Sequence, residues 1–152
     1  MFRRVLIAYD GSSPSRAALK EALQLLQGQP CDLELAYVNP GLPLNVELAP
    51  ASLLEASRLA NEEAAERILA EGRREVMKAG AEAACKVLES EGRRVGEVLV
   101  DHAAKEHFGL IVIGSHGRRG MSRALLGSDA ELVARLSPIP VLIFKASAAS
   151  GR

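Results

Sequence analysis

Val5-Leu6-Ile7-Ala8-Tyr9-Asp10-Gly11-Ser12-Ser13-Pro14 begins with five apolar side chains in a row and then breaks into turn and capping residues. An uninterrupted apolar run this short reads as a strand buried on both faces, because a strand with one wet face alternates polar and apolar positions. Asp10-Gly11 favours a turn. Ser13 followed by Pro14 suits a helix start, a side-chain cap ahead of a residue with no amide hydrogen to satisfy. Leu19, Ala22, Leu23 and Leu26 then recur on one helical face, and Gly28 is placed to close the helix.

The same alternation runs through the rest of the chain. Leu33, Leu35 and Tyr37 alternate with Asp32, Glu34 and Ala36 as a second strand, followed by a Pro- and Gly-rich loop from Asn39 to Pro50. Ser52-Leu53-Leu54-Glu55 fits a capping box at the head of a long Ala-, Glu- and Arg-rich helix that reaches Lys78 and stops at Gly80. Ala83, Cys85 and Val87 mark a half-exposed third strand, and Val95, Val98, Leu99, His102 and Ala103 a helix ended by Gly109. Leu110-Ile111-Val112-Ile113 is a fourth strand, apolar throughout like the first. Ser128 to Leu136 is a helix, Val141-Leu142-Ile143-Phe144 the last strand, and residues 146–152 a small, polar tail expected to be disordered. Strand and helix alternating in this way predict one α/β domain over residues 1–145, with a parallel sheet and helices on both faces.

Composition narrows the function. Lys plus Arg and Asp plus Glu both number 19, and a balanced chain does not carry the basic surplus that neutralises nucleic-acid phosphates. No apolar run approaches the roughly 20 residues of a membrane span. The N-terminal apolar run is too short for a signal peptide. Cys31 and Cys85 have neither metal-ligand nor redox spacing, and read as reduced, largely buried thiols of a cytoplasmic protein.

In open parallel sheets, ligands bind at the carboxyl ends of the central strands, where the winding reverses. The continuously apolar first and fourth strands are the central candidates, so the segments after them are where a site is expected. After the fourth comes Gly114-Ser115-His116-Gly117-Arg118-Arg119-Gly120-Met121-Ser122-Arg123, running on to Gly127-Ser128. Gly114 and Gly117 let the backbone approach a ligand and tolerate positive φ. Gly127-Ser128 opens a helix whose first amides and positive dipole end favour an anion. Arg118, Arg119 and Arg123 add positive charge, and the hydroxyls of Ser115 and Ser128 can donate to phosphate oxygens. A plain connecting loop, with Ser128-Asp129-Ala130-Glu131 as a self-sufficient capping box, accounts for the same residues without a ligand. His102 and His107 lie about 140° apart around a helix and do not share a metal, and His107 is placed to oppose the dipole at the helix C-terminus. Asp10, an acceptor-only group at the crevice, suits hydroxyls, an exocyclic amine or a metal.

Gly114, two residues, Gly117, nine residues, Gly127 and Ser128 reproduce the G-x2-G-x9-G-[S/T] motif, and the chain resembles the ATP-binding universal stress proteins. The opening Val5 to Ser12 and the closing Ile139-Pro140-Val141-Leu142-Ile143 are similar to the same family. The resemblance implies strand order 3-2-1-4-5, an adenine nucleotide alpha hydrolase-like fold. It implies that Ala8, Asp10 and Val38 line a base and sugar pocket. It further places Gly114, His116 and Gly117 beside the ribose and α-phosphate, with Arg118, Gly127, Ser128, Asp129 and Ala130 facing the phosphates. ATP, ADP or AMP is the ligand so implied, with Mg²⁺ or Mn²⁺ as companion of a triphosphate. Asp129 and Ala130 depart from the family's pattern and bear on which of the three is preferred. The last strand lacks the charges that normally protect an edge, and the resemblance implies a homodimer paired through it. The expected function is a nucleotide-binding stress-response or signalling protein and not an enzyme. A dimeric interaction protein of the same fold that binds no nucleotide, and a slow ATPase, are the alternatives.

Overall fold

The computed structural model describes residues 2–42, 49–116 and 126–145. Part of the loop after Asn39, Gly117 and Arg118 of the glycine-rich segment, and the tail 146–152 lie outside the described residues. The elements run β1 (Arg4–Ala8), α1 (Ser13–Leu25), β2 (Asp32–Asn39), α2 (Ala51–Lys78), β3 (Ala83–Glu89), α3 (Val95–Lys105), β4 (Leu110–Gly114), α4 (Ser128–Leu136) and β5 (Val141–Phe144). The sheet is parallel with order β3-β2-β1-β4-β5, as expected. No helix among the described residues is long and apolar enough to cross a membrane.

The run Val5-Leu6-Ile7 is wholly buried because β1 is the middle strand and both its faces are covered. Val5, Ile7 and Tyr9 face one side, with Ala18, Leu19 and Ala22 of α1 and Ala65, Ile68, Leu69 and Val76 of α2. Leu6 and Ala8 face the other, with Val98, Leu99 and Ala103 of α3 and Ala130 and Val133 of α4. Burying the Val, Leu and Ile side chains among these stabilises by roughly 1.5–3 kcal/mol each. α2 is held close to the sheet by Gly72, where a Cβ would come within 2.9 Å of both Leu35 and the Tyr9 ring.

Helix ends depart from the expectations in informative ways. The α1 cap is Ser12, one residue earlier than expected: its Oγ accepts from the Ser15 amide at 3.3 Å. The Ser52–Glu55 capping box does not form, because the helix already begins at Ala51 with Pro50 as its N-cap. Gly80 ends α2 as expected, in a left-handed conformation at φ 76°, with the Gly80 and Ala81 amides donating to Met77 and Val76. α3, in contrast, stops at Lys105, short of Gly109. His107 takes the left-handed position at φ 56°, and the Phe108 amide donates to the Ala103 carbonyl at 2.9 Å. The buried Phe108 ring turns the chain back into the core, and the His107 backbone makes the turn. Neither thiol is deeply buried: Cys31 is half-buried and Cys85 exposed on the edge strand β3.

Candidate functional site

The sheet creates a crevice because the chain winds in two directions. From β1 through α1, β2 and α2 to β3 it moves one way, with its helices on one face. From β3 through α3 it crosses to β4 and continues to β5, with its helices on the opposite face. The carboxyl ends of β1 and β4 therefore open between two diverging connections, the position at which such sheets hold ligands.

Three segments meet there. Ala8 ends β1 and Val38 lies near the end of β2, both in the core cluster on the α3–α4 face. Asp10 follows, half-buried, and its Oδ1 accepts from the Ser12 amide at 2.9 Å. That bond folds the turn, and Gly11 at φ 74° completes it against Ile68 of α2. Beside Asp10, burial and then the Glu71 carboxylate push the Tyr9 phenol above its usual range, with the Arg16 guanidinium opposing. Asn39 is the third contributor, and sequence reasoning missed it. It is buried, its Oδ1 accepts from the Gly41 amide at 3.2 Å, and its Nδ2 donates to Glu89 at 3.4 Å. A polar residue closing an alternating apolar strand was the signal available.

Across the crevice, Gly114 ends β4 without a positive φ. Its lack of a side chain serves packing instead: a Cβ would lie 2.8 Å from the carbonyl carbon and oxygen of Pro14. The first turn of α1 is thus seated directly on the end of β4. The next residue corrects a further expectation. Ser115 is 2% exposed, and its Oγ lies 2.9 Å from Nδ1 of His116, so its hydroxyl is taken by a side chain and is not offered to a phosphate. Its amide donates to the Phe144 carbonyl and its carbonyl accepts from the Gly127 amide, both at 2.7 Å. The two ends of the glycine-rich segment are therefore pinned together at Ser115 and Gly127.

Gly127 is the N-cap of α4 and, having no side chain, supplies no cap, so the Ser128–Glu131 capping box is absent. The first intrahelical bond is Glu131 to the Gly127 carbonyl at 2.9 Å. The amides of Ser128, Asp129 and Ala130 have no acceptor within the helix, as the first turn of any helix dictates. Ala130 is 1% exposed and its methyl belongs to the core, so only its amide is available to a ligand. The Asp129 carbonyl packs against α3, 3.0 Å from where a Cβ on Gly96 would sit. Among the described residues, no group of three or more His, Cys, Asp or Glu could hold a metal ion.

The structure thus brings Ala8, Asp10, Val38, Gly114, His116, Gly127, Ser128, Asp129 and Ala130 to one end of the sheet. A wide groove of about 1500 Å³ between α1 and α2 lies elsewhere, and none of these residues lines it.

Comparison with known proteins agrees with this architecture. The sequence profile described as "Universal stress protein family" matches residues 1–145. Universal stress protein MJ0531 of Methanocaldococcus jannaschii is 31% identical over 147 residues, covering 95% of this chain and 83% of that protein. Universal stress protein YxiE of Bacillus subtilis (strain 168) is 29% identical over 151 residues, covering 95% of this chain and all of that protein. Among solved structures, a universal stress protein in complex with cAMP superposes with a TM-score of 0.70 at 26% identity, over 96% of this chain and 99% of that one.

Proposed function

From a chain that belongs to the universal stress protein family, we propose an adenine-nucleotide-binding protein, taking ATP or its di- or monophosphate in the crevice between β1 and β4. The observation that carries the reading is the uncapped start of α4. The amides of Ser128, Asp129 and Ala130 have no acceptor within the helix, and their cap Gly127 donates to Ser115, just past the end of β4 at the switch point of the sheet. Amides at a helix N-terminus, reinforced by its dipole, favour phosphate. The cAMP complex of the related structure supports the choice of an adenine nucleotide. In this reading Ala8, Asp10 and Val38 meet base and sugar, with Asp10 accepting from hydroxyls or an amine. Gly114, His116 and Gly117 lie beside ribose and α-phosphate. Arg118, Gly127, Ser128, Asp129 and Ala130 face the phosphates. A divalent cation enters only as the companion of a triphosphate, offsetting the Asp129 carboxylate. No residue is assigned a catalytic role.

Amide chemical shifts followed during addition of AMP test the location. The largest movements are expected at Ser128, Asp129 and Ala130, with Asp10 and Gly11 following. Movements confined to the α1–α2 groove would place the ligand elsewhere.

The protein is further proposed to act as a homodimer through β5. Ile111 and Ser115 donate to the carbonyls of Pro140 and Phe144, so positions 140, 142 and 144 turn their backbone groups toward β4. In a strand the intervening residues point the other way, leaving Val141 and Ile143 on the open edge. Their side chains are half-buried and uncharged, without the devices that usually block edge pairing. Ile143→Pro removes an edge amide without removing a β4 bond. Sedimentation is expected to show a dimer for the natural chain and a monomer for this variant. A natural chain that sediments as a monomer at micromolar concentration would refute the dimer.

A further inference from the structure

We infer that the outward face of α2 is a self-complementary contact surface, on which a second copy of this chain packs its own α2 antiparallel about a two-fold axis. The inference depends neither on the nucleotide reading nor on the β5 edge.

α2 offers more surface than the fold uses. Its buried side consists of Ala65, Ile68, Leu69, Gly72 and Val76. On the side turned away from the core, Leu59 is 47% exposed and Met77 62%. These two stand about five turns apart at 3.6 residues per turn, so they share one line of the helix, and the exposed Ala70 falls close to it. Glu63, Glu66, Arg73 and Arg74 flank the line, all exposed. Other charges of the helix are already matched: Arg58 with Glu55 and Glu62, Lys78 with Glu75, and Glu71 with Arg16. The four flanking charges form no ion pair with another described residue.

The order along this face identifies the occupant. It runs Leu59, Glu63, Glu66, Ala70, Arg73, Met77, apolar at both ends with acids before bases. The helix dipole favours such an order only within the first and last turns. Glu63 and Glu66 lie about three turns or more from either end of a helix spanning Ala51–Lys78, so the dipole does not account for them. Two copies laid antiparallel, with the axis level with Ile68, set Leu59 of one against Met77 of the other and Glu63 against Arg73. Symmetry makes each contact twice. The small Ala70 beside the axis lets the two helices approach. A parallel pairing would instead oppose Glu63 to Glu63 and Arg73 to Arg73. A nucleic acid or an anionic membrane surface calls for a basic stripe, and this one carries both signs. One helix pair is smaller than a stable interface, so association is expected at about 0.1–1 mM and not at the micromolar concentrations that report the β5 dimer.

Sedimentation equilibrium of the full chain at low salt, taken from micromolar concentration up to about 1 mM, tests the contact. The average mass is expected to rise above its micromolar value toward twice that value. Raising the salt to about 1 M, where the screening length is about 3 Å, is expected to reduce the rise. Glu63→Arg and Arg73→Glu are each expected to weaken the association at least about 10-fold, because each turns both symmetric attractions into repulsions. The double variant, Glu63→Arg with Arg73→Glu, is expected to recover the mass of the natural chain. Both positions are exposed, and thermal unfolding of the three variants is expected to match that of the natural chain. A natural chain that keeps its micromolar mass up to about 1 mM would overturn the inference and leave this face to another partner or to solvent. A rise retained by both single variants would overturn it by placing the contact elsewhere. Single losses that the double variant does not recover would refute the antiparallel pairing.

Discussion

Gly114→Val is expected to lower the stability of the fold by about 3 kcal/mol, the upper part of the range for forcing extra atoms into a packed site. In a chain of 152 residues that corresponds to a fall in Tm of roughly 6–12 °C. The size of the effect follows from what the new Cβ meets. Its neighbours at 2.8 Å are the carbonyl carbon and oxygen of Pro14, backbone atoms at the start of a helix already fixed by the Ser12 cap and the proline ring. Neither can swing aside as a flexible side chain would. Relief requires α1 to lift from β4, and that contact covers the centre of the sheet. Thermal unfolding monitored by circular dichroism measures the loss. If stability were unchanged and only ligand binding suffered, the glycine would serve the ligand alone and the packing account would be wrong.

Gly127→Ala should act on binding more than on folding. At φ −63° and ψ 151° the cap has a backbone conformation open to any residue, so no torsional penalty arises. The methyl would instead stand 2.8 Å from the Ser115 carbonyl oxygen, the acceptor of the Gly127 amide. Relief comes by opening that 2.7 Å bond and tilting the first turn of α4 away from β4, which moves the amides of Ser128, Asp129 and Ala130 off the crevice. Affinity for AMP is expected to fall about 10- to 100-fold, equivalent to losing one or two charge-assisted hydrogen bonds. The accompanying loss of stability is expected to be about 1 kcal/mol, at the lower end of overpacking. Unchanged affinity would mean that the α4 amides do not hold the phosphate.

The layering of the fold was legible because β1 and β4 are the strands buried on both faces, and Val5-Leu6-Ile7 and Leu110-Ile111-Val112-Ile113 carry that burial in their composition. Strand order beyond the central pair came through the resemblance carried by Gly114, Gly127 and Ser128, not through periodicity. Features decided by a single contact were less legible. Adjacent serines at 12 and 13 offer the same cap chemistry, and only the direction of the turn set by Asp10 selects Ser12. The Ser52–Glu55 spacing fits a cap as well as it fits an exposed turn inside a helix. A histidine in a left-handed conformation at the end of α3 runs against the preference for glycine there, and it is the burial of Phe108 that imposes it. In the site, the sequence presents the glycines as room for a ligand. Gly114 and Gly127 first make room for other backbone, at Pro14 and at Ser115, and the site is a consequence of those close approaches. Ser115 has the side-chain type of a phosphate donor. Its burial depends on where β4 meets β5, which a one-dimensional pattern does not contain.

The most direct test of the nucleotide site is calorimetric titration of the purified full chain with ATP, ADP and AMP, after denaturing a sample to identify any nucleotide released. Binding with a one-to-one stoichiometry per chain, weakened in Gly127→Ala, is the result expected of a phosphate held by the first turn of α4. No released nucleotide and no heat with any of the three would contradict it, and would leave the uncapped helix and the pinned loop without a ligand.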